Sequence, residues 1–125
     1  MSKDLRTFID TLEANSELKR IKTEVDWDGE VAEIQRKVIE ERGPALLFEN
    51  IKGHRDTWCR RLFMGGLAKF SYVALMLGLA KDASRSDIQQ LLRRRFKEPI
   101  APVRVKTGPV KENIIKGNDV DLFQL

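Results

Sequence analysis

Gly43-Pro44-Ala45-Leu46-Leu47-Phe48-Glu49-Asn50-Ile51-Lys52-Gly53 reads as a stop, a strand and a turn in immediate succession. Glycine tolerates the left-handed position that follows a helix, and proline cannot continue the helical ladder, so Gly43-Pro44 predicts a helix end. Ala45 to Glu49 is an apolar run of strand length. Asn50 to Asp56 is polar and holds Gly53, which predicts a turn. Beyond it Trp58, Arg60, Leu62 and Met64 alternate with Cys59, Arg61 and Phe63, the pattern of a second hairpin arm. Gly65-Gly66 breaks that strand. A helix is predicted from Leu67 or Ala68 to about Leu79, apolar nearly all round and therefore the most buried of the helices. Ser86 followed by Gln89 fits a capping box for another helix, with Ile88, Leu91, Leu92 and Phe96 on its inner face and Pro99 at its end.

On the other side of Gly43, Val31, Ile34, Val38 and Ile39 give the stripe of a helix that Asp26 or Asp28 can cap. Leu18 to Val25 reads as a half-buried strand, with Ile21, Thr23 and Val25 on one side and Lys22 and Glu24 on the other. Leu5, Phe8, Ile9 and Leu12 fall on one face of a first helix capped by Asp4 and ended at Asn15-Ser16. Past Pro99 the texture changes. Pro99-Ile100-Ala101-Pro102 is an extended linker, Val103 and Val105 alternate with Arg104 and Lys106, and Val110 to Ile115 is a further strand candidate between the turns at Thr107-Gly108-Pro109 and Gly117-Asn118. The order implies an α+β fold: a small mixed sheet with about four helices packed on it, on one face, in a single domain. Residues 1–98 form the helix and strand core and residues 99–125 the extended strands. No internal repeat is present.

A 125-residue chain can bury a real core, and its 42% hydrophobic content is too high for a disordered tail. The 23 basic and 19 acidic residues are interspersed, giving a net charge of +4 and a mixed solvated surface. The sharpest charge feature is Arg93-Arg94-Arg95 with Lys97 at the end of the fourth helix. There it complements the helix dipole or meets another domain, and a phosphate-binding role is the lesser alternative. Arg60-Arg61 could join that patch in space. Cys59, the single cysteine, reads as a small buried apolar residue, and His54, the single histidine, lies in a turn. Neither builds a metal site or a nucleophilic triad. There is no GxGxxG and no phosphate-binding loop. The carboxylates Glu40-Glu41 sit in the last turns of a solvated helix, and Asp119 with Asp121 makes a poor cation site without further oxygens. No catalytic, cofactor-binding or metal residue is assigned. Met1-Ser2-Lys3-Asp4 runs straight into the first helix, and the longest apolar stretch, Tyr72 to Ala80, is short of a membrane span. The expectation is a soluble, cytoplasmic chain that binds neither nucleic acid nor membrane.

The stretches Asp4-Leu5-Arg6-Thr7-Phe8-Ile9-Asp10 through Ser16-Glu17-Leu18-Lys19-Arg20-Ile21, Gly43 through Gly53, and Pro99 through Val103 with Gly108 through Glu112 and Asp119 through Leu122 together resemble the start of UbiD-family enzymes. The middle stretch is the most specific, and Ser16 stands where family members commonly carry glycine. The resemblance implies the N-terminal domain of a reversible, non-oxidative decarboxylase of aromatic and α,β-unsaturated carboxylic acids. Such enzymes use prenylated FMN, with a divalent metal (usually manganese) and potassium at its phosphate. Their acid–base network lies in a following flavin-binding domain, so no catalytic residue carries over here and this segment alone is expected to be inactive. The resemblance further implies that the partner is that flavin-binding domain or a catalytic subunit, that the full-length enzyme is a homo-oligomer, and that a flavin prenyltransferase supplies the cofactor. Gly43, Pro44, Phe48, Gly53 and Gly108 are then expected to set turns and packing, and the tail to lead into the missing domain. Two other readings stand beside it: a stand-alone accessory subunit, and a small basic nucleic-acid-binding module.

Overall fold

The structure, a computed structural model, describes residues 2, 4–57 and 59–121. The elements are α1 (Leu5–Ala14), β1 (Leu18–Ile21), α2 (Glu30–Glu40), β2 (Ala45–Phe48), β3 (Leu62–Met64), α3 (Phe70–Leu77) and α4 (Arg85–Lys97), followed by short 3-10 turns at Pro109–Lys111 and Gly117–Asp119. The three-stranded sheet has the order β1-β2-β3. β1 runs parallel to β2 with Leu18 opposite Ala45, and β3 runs antiparallel to β2 with Leu47 opposite Phe63. This is the small mixed α+β sheet the sequence implies. β2 is its centre, which is why all of Ala45–Phe48 are buried.

Helices cover both faces of the sheet, where the sequence suggested one. Successive side chains of a strand point to opposite sides, so β2 feeds two cores. Ala45 joins Phe8, Leu12, Tyr72 and Leu75 beneath α1 and α3. Leu46 and Phe48 join Val25, Val31 and Ile51 beneath α2. Phe8 and Phe63 meet edge to face at 6.2 Å across the first core. α4 packs on α3 through Ile88 and Leu91.

α1 starts as expected, with the Asp4 carboxylate accepting from the Thr7 amide at 2.8 Å. It ends with Ser16 at φ 57, and α2 ends with Arg42 at φ 54. In each case the left-handed residue donates to the carbonyl three back, and the next amide donates to the carbonyl five back: Ser16 to Glu13 and Glu17 to Leu12, Arg42 to Ile39 and Gly43 to Val38. The left-handed position after α2 therefore belongs to Arg42 and not to Gly43. Gly43 is required by closeness, because a Cβ there would lie 2.8 Å from Val38 Cγ1.

Other expectations shift. The strand from Leu18 stops at Ile21, and only an isolated bridge between Val25 and Ile51 continues it. α2 is preceded by Gly29 with no side-chain cap. Asp26 instead accepts from the Asp28 amide, and Glu30 accepts from the Asp26 amide. Gln35 is buried on α2 while Ile39 is half exposed. α3 begins at Phe70, later than expected, because Gly65 at φ 80 opens a turn closed by the Ala68 amide on the Gly65 carbonyl. The capping box of α4 is Ser84 with Asp87, not Ser86 with Gln89. Phe96, assigned to the inner face, is 79% exposed. Cys59 is exposed, in a turn before β3, so the hairpin arm is shorter than the alternation suggested. Trp58 lies outside the described residues. Gly53 does sit in a turn with φ 78. Gly108 does open a turn, its carbonyl accepting from the Lys111 amide at 2.9 Å, but a Cβ there would meet nothing within 4 Å, so it sets no close packing. Among the described residues no strand forms after Met64, so Val103–Lys106 and Val110–Ile115 are not strands. The tail from Leu122 lies outside the described residues.

Candidate functional site

The most enclosed ionised group is Glu17, at the joint between α1 and β1. Its carboxylate receives Lys69 Nζ at 2.9 Å and Tyr72 Oη at 2.8 Å on one oxygen, and Lys81 Nζ at 2.6 Å on the other. Lys69 and Tyr72 come from the start of α3, and Lys81 comes from the loop between α3 and α4. Burial opposes ionisation of Glu17. The hydrogen bonds from Lys81, Lys69 and Tyr72 outweigh it and bring the carboxyl down from 4.5 to about 2. Burial, with the Glu17 charge, pushes the Tyr72 phenol up. Lys69 is raised, because its bonds to Glu17 and Tyr72 outweigh its own desolvation. An acid with such partners is a fixed anion and not a proton carrier near neutral pH. The knot holds the two N-terminal elements to α3. It was invisible in the sequence, since its members lie 52 to 55 residues apart and more.

A second network lies on the sheet. The Arg20 guanidinium grips both Glu13 oxygens at 2.7 Å and reaches Glu49 at 2.7 Å, joining α1, β1 and the end of β2. Both Glu17 and Arg20 fasten elements together.

A group of cations gathers at one end of the sheet. Lys22 follows β1, Glu49 and Asn50 follow β2, and Arg61 precedes β3. With Arg55 and Arg60 they line an open groove of about 470 Å³. Arg61 also walls a neighbouring groove of about 410 Å³, whose floor is Leu5, Ile9, Leu47 and Phe63 with Arg6 at the rim. Arg60 and Arg61 thus face Arg6, Arg55 and Lys22. Arg94 and Arg95 line a different groove with Phe96, Pro99 and Ile100, so the two basic clusters do not merge as the sequence allowed. Arg95 donates to the Leu77 carbonyl at 3.1 Å and so ties the end of α4 to the end of α3.

The described residues contain no group of three or more His, Cys, Asp or Glu side chains placed to hold a metal ion. His54 Nδ1 lies 3.2 Å from Thr57 Oγ1, within its own turn, and its ring meets Trp27 edge to face. Neither His54 nor Cys59 faces a catalytic partner. Among the described residues no helix is long and apolar enough to cross a membrane.

Comparison with known proteins supplies what the geometry does not. Residues 9–92 match the family model described as the 3-octaprenyl-4-hydroxybenzoate carboxy-lyase N-terminal domain, UbiD_N. The chain is 39% identical over 128 residues to a pyrrole-2-carboxylic acid decarboxylase of Pseudomonas aeruginosa, covering 95% of this chain and 25% of that protein. It is 38% identical over 125 residues to a phenolic acid decarboxylase of Streptomyces sp. (strain D7), covering 98% of this chain and 26% of that protein. Among solved structures it is similar to the vanillic acid decarboxylase of Sedimentibacter hydroxybenzoicus. The open form superposes with a TM-score of 0.78 at 35% identity, and the closed form with 0.78 at 34%. These matches cover 98% and 99% of this chain and 26% of that one. The chain thus spans about a quarter of the length of these relatives.

Proposed function

The chain belongs to the UbiD family as its N-terminal domain, and from that premise we propose that it is the structural N-terminal unit of a non-oxidative decarboxylase or carboxylase acting on aromatic or α,β-unsaturated carboxylic acids. The observation that carries the reading is the match of nearly the whole chain, at 38–39% identity, to two enzymes named as decarboxylases. The chemistry belongs to a flavin-binding portion that uses prenylated FMN with manganese and potassium, the cofactor coming from a flavin prenyltransferase. Residues 99–125 lead towards that portion. The full-length enzyme is a cytoplasmic homo-oligomer. The residues here do not fit a manganese site, since the described part has no ligand cluster for a divalent ion, and no chemical step is assigned to them. The role of this unit is to fold and to dock.

The test is to follow the reading frame past Leu125 and to assay the product, purified with its native cofactor, for carbon dioxide release from vanillate, phenolic acids and pyrrole-2-carboxylate. A longer product that decarboxylates one of these, with the 125-residue chain alone inactive, is the expected result. A native product of 14.4 kDa would remove the covalent flavin-binding portion and with it this reading.

A further inference from the structure

The basic end of the sheet has no work in the fold. Arg6, Lys22, Arg55, Arg60 and Arg61 are all exposed, and none is among the ion pairs of the described residues. Five other cations, Arg20, Arg36, Lys52, Lys69 and Lys81, each hold a carboxylate within 2.9 Å. Gathering like charges costs free energy, so an unpaired cluster is a place where partner charge would be welcomed. The cluster also lies beyond the carboxyl ends of the parallel strands β1 and β2.

Beside the cations runs the apolar floor of Leu5, Ile9, Leu47 and Phe63. Arginine over an apolar strip is the chemistry of a protein interface. A nucleic acid would need an uninterrupted basic track, and here Asp10, Glu49 and Asp56 interrupt it. A small phosphate would leave the apolar floor uncovered. A second copy would bring the same unpaired cations against these.

We infer that this groove is a docking face for a protein segment that carries several carboxylates beside apolar side chains. Carboxylates of the segment meet Arg60, Arg61 and Arg55, where bidentate guanidinium pairing is available. Its apolar side chains lie on Leu5, Ile9 and Phe63. Charge complementarity sets the orientation and speeds encounter, and the apolar strip slows release.

The probe is a labelled twelve-residue peptide alternating glutamate and leucine, titrated into the 125-residue chain by fluorescence anisotropy. Saturable binding is expected, weakening several-fold as salt rises from about 50 to about 300 mM. Arg60→Glu with Arg61→Glu is expected to weaken it at least about tenfold, while Arg93→Glu with Arg94→Glu, an equal change in net charge, leaves it within about twofold. Absence of binding, or equal losses in the two double variants, would overturn the inference. So would a DNA duplex or inorganic phosphate that displaces the peptide at equal concentration of charge, or a dimer of the chain that the Arg60/Arg61 variant abolishes. Should that variant fail to fold, peptide-induced amide shifts in the unaltered chain decide the matter. Shifts centred on Lys22, Asn50, Arg55 and Arg61 support the docking face, and shifts centred on Arg93 to Arg95, or none, refute it.

Discussion

Residues 5–97 and residues 98–121 draw on similar side chains and put them to opposite use. In β1, Ile21 follows Lys19 and Arg20 and packs beneath α2, because β2 lies alongside with Ile21 opposite Phe48. In the arm, Val103 and Val105 alternate with Arg104 and Lys106 just as cleanly. Among the described residues no strand lies alongside these four, and Val103 is 85% and Ile100 97% exposed. A strand is a relation between two segments, since its amides and its apolar face both need a neighbour. The body has that neighbour within its own residues, and the arm does not.

The sharpest way to break this contrast is to cut one apolar side chain from each region. Phe48→Ala removes a wholly buried ring from the centre of the sheet, and a loss of about 3–5 kcal/mol is expected from urea unfolding. Val105→Ala in the arm should move stability by less than about 0.5 kcal/mol. Comparable losses would mean that the arm packs on the body.

A second test concerns what fastens the body. Glu17→Gln removes the anion that Lys69 and Lys81 share and should cost about 2 kcal/mol at neutral pH. The folded carboxyl titrates at about 2 against an ordinary 4.5. Its contribution is therefore complete above the ordinary value and fades as pH falls through that value towards about 2. The Glu17→Gln variant should lose less stability than the parent over that acid range. An unchanged acid limb would show that other carboxylates govern it.

The smallest expected effect is a gain. Ser16 sits at φ 57, a conformation that costs an ordinary residue free energy and a glycine little. Ser16→Gly should stabilise the body by about 0.5–1 kcal/mol after the extra freedom of the unfolded chain is counted. A loss would mean that the serine side chain does more at the joint than the backbone suffers.

Features set by neighbouring residues were legible in the sequence. The Asp4 cap, the stop at Gly43-Pro44 and the strand Ala45–Phe48 each depend on a few adjacent positions. Ambiguity entered where two local readings fit equally: Ser84 with Asp87 and Ser86 with Gln89 both offer a cap, and the helix takes the first. Phe96 continues the apolar spacing of α4 but lies past the end of α3 and finds nothing to cover it. What depended on distant residues was not legible at all. The knot at Glu17 and the meeting of Arg6, Lys22 and Arg55 with Arg60-Arg61 are products of the fold. No spacing in one sequence announces them. The family resemblance was legible because it rests on contiguous stretches.

The order of elements along the chain carries a consequence for synthesis. Leu18 pairs with Ala45 and Leu46 with Met64, so the sheet closes within residues 18–64, and α3 and α4 complete it by Lys97. The longest of these strand pairings spans 27 residues, from Leu18 to Ala45. Loops of that size close at modest entropic cost. A ribosome adding roughly 5–20 residues per second would release residues 5–97 able to fold before the arm has left it. The arm would follow, tethered to a finished body that keeps its exposed valines and isoleucines at the end of a short leash.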